Sequence, residues 1–307
     1  MSCPTPSKFF PARKELMLPA NSLRGKLAFV TGGGTGLGKA IALALSALGA
    51  KVAIASRRIE VLEAASREIS QKTGNLVVPI QLNVKDAAEV RRAADECTSK
   101  LGGLPSIIVN NAAGNFISPT ERLSPNAMKA IVDIVLMGTM YVTLEFGKRL
   151  IQAKQGASFL AITTPYARTG SPFVSSSAAA KSGVETFTKS MAVEWGKYGM
   201  RFNCIAPGPI HTEGAMSRLD PTGQAETEGP KRIPVGRLGQ PEELANLATY
   251  ILSEYGSWLN GSIIDYDGGS QLMGQSFAEL HQVMPEQWDQ LEAMIRKSSG
   301  KAKLAKL

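Results

Sequence analysis

The chain has 307 residues, 44% of them hydrophobic and 20% charged, enough to bury a core in one large domain or two small ones. Its formal net charge of +8 sits at the ends: residues 1–26 carry Lys8, Arg13, Lys14, Arg24 and Lys26 against Glu15, and residues 296–307 carry Arg296, Lys297, Lys301, Lys303 and Lys306 with no acid. A near-neutral body argues against nucleic acid, three scattered cysteines (Cys3, Cys97, Cys204) against a disulfide framework or structural metal, and the lack of an apolar run of roughly eighteen residues against a membrane span.

Residues 1–25, with Pro4, Pro6, Pro11 and Pro19, read as an irregular N-terminal arm on the surface. Short apolar runs then alternate with segments of helical period: 27–31 and 37–48, 52–56 and 60–71, 77–84 and 87–101, 107–112 and 124–153, 159–164 and 176–198, 201–206 and 241–254, and finally 262–267. Strand and helix repeated in this way predict an α/β fold with a doubly wound parallel sheet, because parallel strands need long crossovers that pack over the sheet. The runs are continuous and not alternating, as expected of strands covered on both faces. No linker interrupts 26–270, which reads as one Rossmann-type domain. The segment 209–234 breaks the alternation at the carboxyl end of the sixth strand and is the candidate substrate lid. Residues 271–307 form a C-terminal extension, whose helix starting at Pro285 is expected to pack on the body before a basic tail.

The first strand ends in Thr31-Gly32-Gly33-Gly34-Thr35-Gly36-Leu37-Gly38, which opens a helix. Glycines there let the backbone turn sharply and approach a pyrophosphate at a helix N-terminus, so a dinucleotide is expected. The second strand ends in Ser56-Arg57-Arg58, where a cofactor with a free ribose would usually meet a carboxylate. Guanidinium groups suit a 2′-phosphate, which favours NADPH.

The glycine turn, Asn110-Asn111-Ala112-Ala113-Gly114 after the fourth strand, and Pro207-Gly208 after the sixth resemble the short-chain dehydrogenases/reductases over about residues 25–270. The resemblance implies a cofactor site at Gly32, Gly33, Gly34, Thr35, Gly36, Leu37, Arg57, Asn83, Lys181, Pro207, Gly208, Pro209 and Ile210. Asn83 stands where that family often has Asp beside the adenine. Most members place a tyrosine four residues before the lysine, but here that position is Ser177, a far weaker acid. The helix asparagine of the family tetrad reads as Val135.

The stretches 111–122, 162–166 and 217–223 resemble the 2,4-dienoyl-CoA reductases of the mammalian mitochondrial type, as do the arm near Lys8-Phe9-Phe10 and the helix around Trp288. This resemblance implies that Tyr166 and Asn115 hold a thioester carbonyl, that Lys181 binds the nicotinamide ribose, and that Ser177 lies nearby as a polar neighbour. Arg218 is implied as a contact to the coenzyme A part and Arg57 as a further substrate contact, with Phe116 and Ser124 as weaker substrate candidates. The implied reaction passes hydride from NADPH to the δ carbon of a 2,4-dienoyl-CoA and protonates the dienolate to a 3-enoyl-CoA. Pro165 fixes the backbone before Tyr166, and His211 and His281 are given ordinary surface or packing duties. A reductase of 2-enoyl thioesters or ketones, and a nucleotide-binding scaffold without turnover, are the alternatives.

A homotetramer built on the helices 124–153 and 176–198 is implied by the same family. The terminal Ala305-Lys306-Leu307 resembles a Ser-Lys-Leu address, which predicts a peroxisomal import receptor as partner and a peroxisomal location, with the mitochondrial matrix as the alternative.

Overall fold

The computed structural model describes residues 6–212, 223, 225–275, 277–278, 280 and 283–304. Arg218, His281, most of the stretch 217–223 and the terminal Ala305-Lys306-Leu307 lie outside the described residues, so the expectations placed on them are not addressed by the fold.

The strands and helices follow the expected alternation. They are β1 (Leu27–Thr31), α1 (Gly36–Ala47), β2 (Lys51–Ser56), α2 (Ile59–Thr73), β3 (Val77–Gln81), α3 (Ala87–Leu101) and β4 (Ile107–Asn110). Then come α4 (Pro125–Val132), α5 (Gly138–Gln152), β5 (Ala157–Ile162), α6 (Tyr166–Thr169), α7 (Ser175–Glu194) and β6 (Met200–Pro207). The chain continues through α8 (Ala225–Glu228), α9 (Pro241–Leu252), β7 (Ile263–Tyr266) and α10 (Pro285–Leu304).

The seven strands form one sheet in the order β3-β2-β1-β4-β5-β6-β7, and every pairing is parallel. The order reverses between β1 and β4, so the loops leaving their carboxyl ends diverge and open a crevice at that switch point. One core joins β1 and β2 to α1, α2 and α9 through Val30, Ile41, Leu45, Ile54, Leu62 and Leu244. On the opposite face Phe29, Ile108, Phe159 and Phe202 pack against α3, α7 and the Phe146 side of α5. Phe159 and Phe202 stack with centroids 4.5 Å apart across β5 and β6.

Three strands end earlier than the apolar runs suggest. β3 stops at Gln81, β4 at Asn110 and β5 at Ile162, because the residues beyond have left the ladder to line the carboxyl edge of the sheet. The expected single helix 124–153 is continuous but carries a π-helical turn at Asp133–Met137, where Gly138 N bonds back to Asp133 O. That turn surrounds Val135, the position of the missing tetrad asparagine. By length and composition the helix Pro125–Gln152 could cross a bilayer, with a mean hydropathy of 1.6. Here Val135, Val142, Phe146 and Leu150 are fully buried against the sheet side, as in a core helix.

The arm is held at several points. Asn246 of α9 accepts from Met17 N and donates to Glu15 O, and Arg237 donates to Phe10 O at 2.7 Å while gripping Glu243 through both nitrogens at 2.7 and 2.8 Å. The expectation that α10 packs on the body is not met along its outer side chains: Met294 and Ile295 stay 61% and 53% exposed.

Candidate active site

The glycine turn is braced from the next strand over. Thr31 Oγ1 donates to Val109 O and accepts from the amides of Asn111 and Ala112, while Asn111 Nδ2 donates to the carbonyls of Thr31 and Gly32. These bonds tie the ends of β1 and β4 together at the switch point. A cleft of about 380 Å³ runs along them, lined by Gly32, Gly34, Thr35, Gly36, Leu37, Arg57, Asn83 and Asn115 among others. Gly33 does not face this cleft: a Cβ there would come within 2.7 Å of Ile54, so its role is close packing of the turn on β2. Gly38 is likewise a packing glycine, since a Cβ would strike Gly32 O and Asn111.

The cleft suits a dinucleotide. Its glycine turn presents backbone at the N-terminus of α1, and its far end holds Arg57 and Arg58, neither of which has an ion-pair partner among the described residues. Asn83 lines the cleft with its backbone N donating to Glu89 Oε2 at 2.9 Å. Ala55, Ser56, Val61, Leu82, Val84, Ala112, Ile134 and Thr212 also line it, and sequence reasoning did not single them out for that role. Pro209 and Ile210, expected on the cofactor, instead line a second cavity of about 430 Å³ with Phe9, Phe10 and Arg13 of the arm. Pro207 closes β6, and Gly208 turns so tightly that a Cβ would sit 2.5 Å from that of Asp267.

At the nearer end of the cleft the structure brings three of the predicted residues together. Asn115 Nδ2 donates to the Tyr166 hydroxyl at 3.1 Å, and Ser177 Oγ stands 3.5 Å from the same oxygen. Asn115 Oδ1 accepts from Phe116 N at 2.9 Å, which turns the amide so that its NH₂ group faces Tyr166. Phe116 itself packs on the buried cluster of Ile131, Val135 and Ala180. Tyr166 does not simply follow a strand. Pro165, at φ −57 and ψ −37, starts the four-residue helix α6, and Tyr166 is its first residue. Ser124 is the N-cap of α4, accepting from Ala127 N at 3.1 Å, and this accounts for its hydroxyl without a ligand.

Lys181 is the seventh residue of α7, and it is buried. Its Nζ donates to Ile162 O at the end of β5. Burial lowers its pKa from 10.5 to about 8, while the nearby Cys204 and Glu185 act to hold it up. Glu185, one helical turn further on, is buried too and accepts from Thr163 Oγ1 at 3.0 Å. Desolvation raises its pKa above the usual carboxylate value. His211, half exposed, contacts Glu226 at 3.0 Å.

Residues 32–271 match the family described as enoyl-(acyl carrier protein) reductase. An uncharacterised oxidoreductase of Caenorhabditis elegans is 55% identical over 99% of both chains. This chain is a short-chain dehydrogenase/reductase. As a short-chain dehydrogenase/reductase it is an oxidoreductase whose fold binds a nicotinamide cofactor. It is similar to a probable 2,4-dienoyl-CoA reductase of C. elegans, (3E)-enoyl-CoA-producing, 50% identical over 99% of this chain and 100% of that one. The peroxisomal 2,4-dienoyl-CoA reductase of Saccharomyces cerevisiae is 36% identical over 86% and 89% of the two chains. The solved structure described as a 2-deoxy-D-gluconate 3-dehydrogenase of Agrobacterium tumefaciens with bound NADP superposes with a TM-score of 0.75, at 30% identity, over 83% of this chain and all of that one.

Proposed function

We propose that this short-chain dehydrogenase/reductase is an NADPH-dependent 2,4-dienoyl-CoA reductase that produces a 3-enoyl-CoA. The observation that carries the reading is the Asn115–Tyr166 hydrogen bond beside a buried Ser177. A ketone reductase needs its acid where Ser177 stands, and an aliphatic hydroxyl cannot replace a phenol there. In this chain the phenol comes instead from α6, paired with an amide.

A reduced nicotinamide bound in the cleft would supply hydride to the δ carbon of the conjugated thioester. Electrons from the γ–δ double bond then shift through the α–β double bond onto the thioester oxygen, giving a substrate dienolate. Tyr166 O–H and Asn115 Nδ2–H are the two donors that stabilise that oxygen, each worth roughly 3–4 kcal/mol when preorganised and dry. The Oδ1 bond to Phe116 N fixes the amide before substrate arrives, so no reorganisation is needed at the moment of reaction. Protonation at the α carbon, by Tyr166 or a water it orients, leaves the double bond between the β and γ carbons. Lys181, held by Ile162 O, keeps a positive charge beside the site and is assigned the nicotinamide ribose. Arg57 and Arg58 are assigned the 2′-phosphate, which selects NADPH.

A homotetramer is part of this reading. Val132, Leu136, Met140 and Leu144 form a stripe at helical spacing that is only half-buried in the single chain, and a second copy would cover it. The name of the yeast relative supports a peroxisomal location. The decisive assay follows NADPH oxidation with a 2,4-dienoyl-CoA, a 2-enoyl-CoA and a simple ketone. Turnover confined to the dienoyl thioester is expected; preference for the ketone would overturn the assignment.

A further inference from the structure

Helix α6 has four residues and cannot hold its own orientation. Its backbone ties are local: Ala167 N to Thr164 O, Arg168 N to Pro165 O and Gly170 N to Tyr166 O. Beyond it, Gly170 turns at φ +73 into the exposed residues Pro172 and Phe173. Something more distant must fix the direction in which Tyr166 points.

The structure supplies that tie through Arg168, two residues after the phenol. Its Nη1 lies 3.5 Å from Glu185 on α7, and its Nη2 donates to Asp265 on β7, so one guanidinium bridges three elements. Glu185 is also bonded to Thr163, which leads from β5 into α6. On the same helix, one turn back, Lys181 holds Ile162 O. The clamp therefore joins α6 to the helix that carries both Ser177 and Lys181. An exposed ion pair would contribute little. Glu185 is different, because it is buried and Arg168 is the cation in contact with it, so removing the guanidinium leaves only the Thr163 hydroxyl and more distant lysine charge to hold it.

We propose that Arg168 is a positioning residue for Tyr166, its guanidinium fastening α6 to Glu185 and Asp265 so that the hydroxyl meets Asn115 and Ser177. The proposal rests on the reading of Tyr166 as the oxyanion donor.

The experiment is a kinetic cycle on the full chain, comparing the unaltered enzyme, Arg168→Ala, Tyr166→Phe and the double variant, with Arg168→Lys as the conservative change. Turnover of a 2,4-dienoyl-CoA and NADPH affinity by fluorescence are measured for each. Arg168→Ala should lower kcat by about 10- to 100-fold, as expected when a reacting group is displaced. KM and NADPH affinity should stay within about 2-fold, because Arg168 does not line the cleft, and Arg168→Lys should restore part of the rate. In the Tyr166→Phe background the alanine change should have no further effect, since the group it positions is gone. An unchanged kcat in Arg168→Ala with Tyr166→Phe impaired overturns the proposal, as does the same fold loss in both backgrounds. An unimpaired Tyr166→Phe overturns the Tyr166 reading itself, and the proposal with it. If Arg168→Ala does not fold, Asp265→Asn takes its place in the cycle, because that residue lies on a partly exposed edge strand.

Discussion

Asn115 and Tyr166, fifty-one residues apart, share a hydrogen bond of 3.1 Å in which the amide donates to the phenol. The phenolic proton is thereby left for a ligand or for Ser177. Tyr166→Phe and Asn115→Ala should each lower kcat by about 10²- to 10³-fold, the usual cost of one oxyanion donor. NADPH affinity should be retained in both. Combined, the two changes should cost less than the product of the single losses, because they serve one oxygen.

Lys181 should give the activity an upper pH limit. Burial lowers its pKa to about 8, so the charged form is held below that pH and lost above it. The profile of kcat/KM should therefore be level towards neutrality and fall as pH rises through about 8, and Lys181→Arg should remove that fall while lowering the rate. Stability moves in the opposite sense. The unfolded lysine keeps its proton up to its ordinary pKa of 10.5, so the penalty for burying the charge fades between about pH 8 and 10.5 and the Lys181 contribution improves across that window. A pH titration of denaturant midpoints on the alanine variant and the unaltered chain separates this term.

Cofactor choice should follow Arg57. Replacing it by Ala removes charge-assisted hydrogen bonds worth about 1.5–3 kcal/mol, so NADPH affinity should fall by about 10- to 100-fold with NADH affinity unchanged. Equal loss for both cofactors would assign Arg57 to the shape of the cleft and not to the 2′-phosphate.

Gly33 and Gly38 should respond as packing residues. An alanine at Gly33 meets the buried Ile54 at 2.7 Å, whereas at Gly38 it meets the carbonyl of Gly32 closer still. Overpacking costs of about 1–3 kcal/mol are expected, with Gly38→Ala the worse of the two in thermal unfolding.

The fold was legible because a parallel sheet covered on both faces writes each strand as an unbroken apolar run, and β1, β5 and β6 do so plainly. Strand ends were less legible: Leu82 and Val84 are as apolar as the strand before them, yet they face the cleft. The glycine turn and the Arg57-Arg58 pair announced a cofactor through local chemistry. Tyr166 and Asn115 came only through family resemblance, since no local pattern links residues on separate loops. The clamp of Arg168, Glu185 and Asp265 was invisible, because charges up to ninety-seven residues apart carry no mutual signal until the sheet brings β7 beside β6.

The π-helical turn at Asp133–Met137 gives the long helix one surplus residue. A helix with a surplus residue has two phases, since each residue advances the face by about 100°. Before the turn the phase is set by Ile131 against the Phe116 cluster; after it, by Val142 and Phe146 against the sheet, with Gly138 close enough to Val84 to forbid a side chain. Deleting one residue inside the turn would remove the surplus and leave a regular helix that still satisfies both ends, whereas straightening the turn with every residue kept would satisfy either end and not both. The π turn thus sets the face on which Ile134 meets the cleft apart from the face the rest of the helix lays on the sheet.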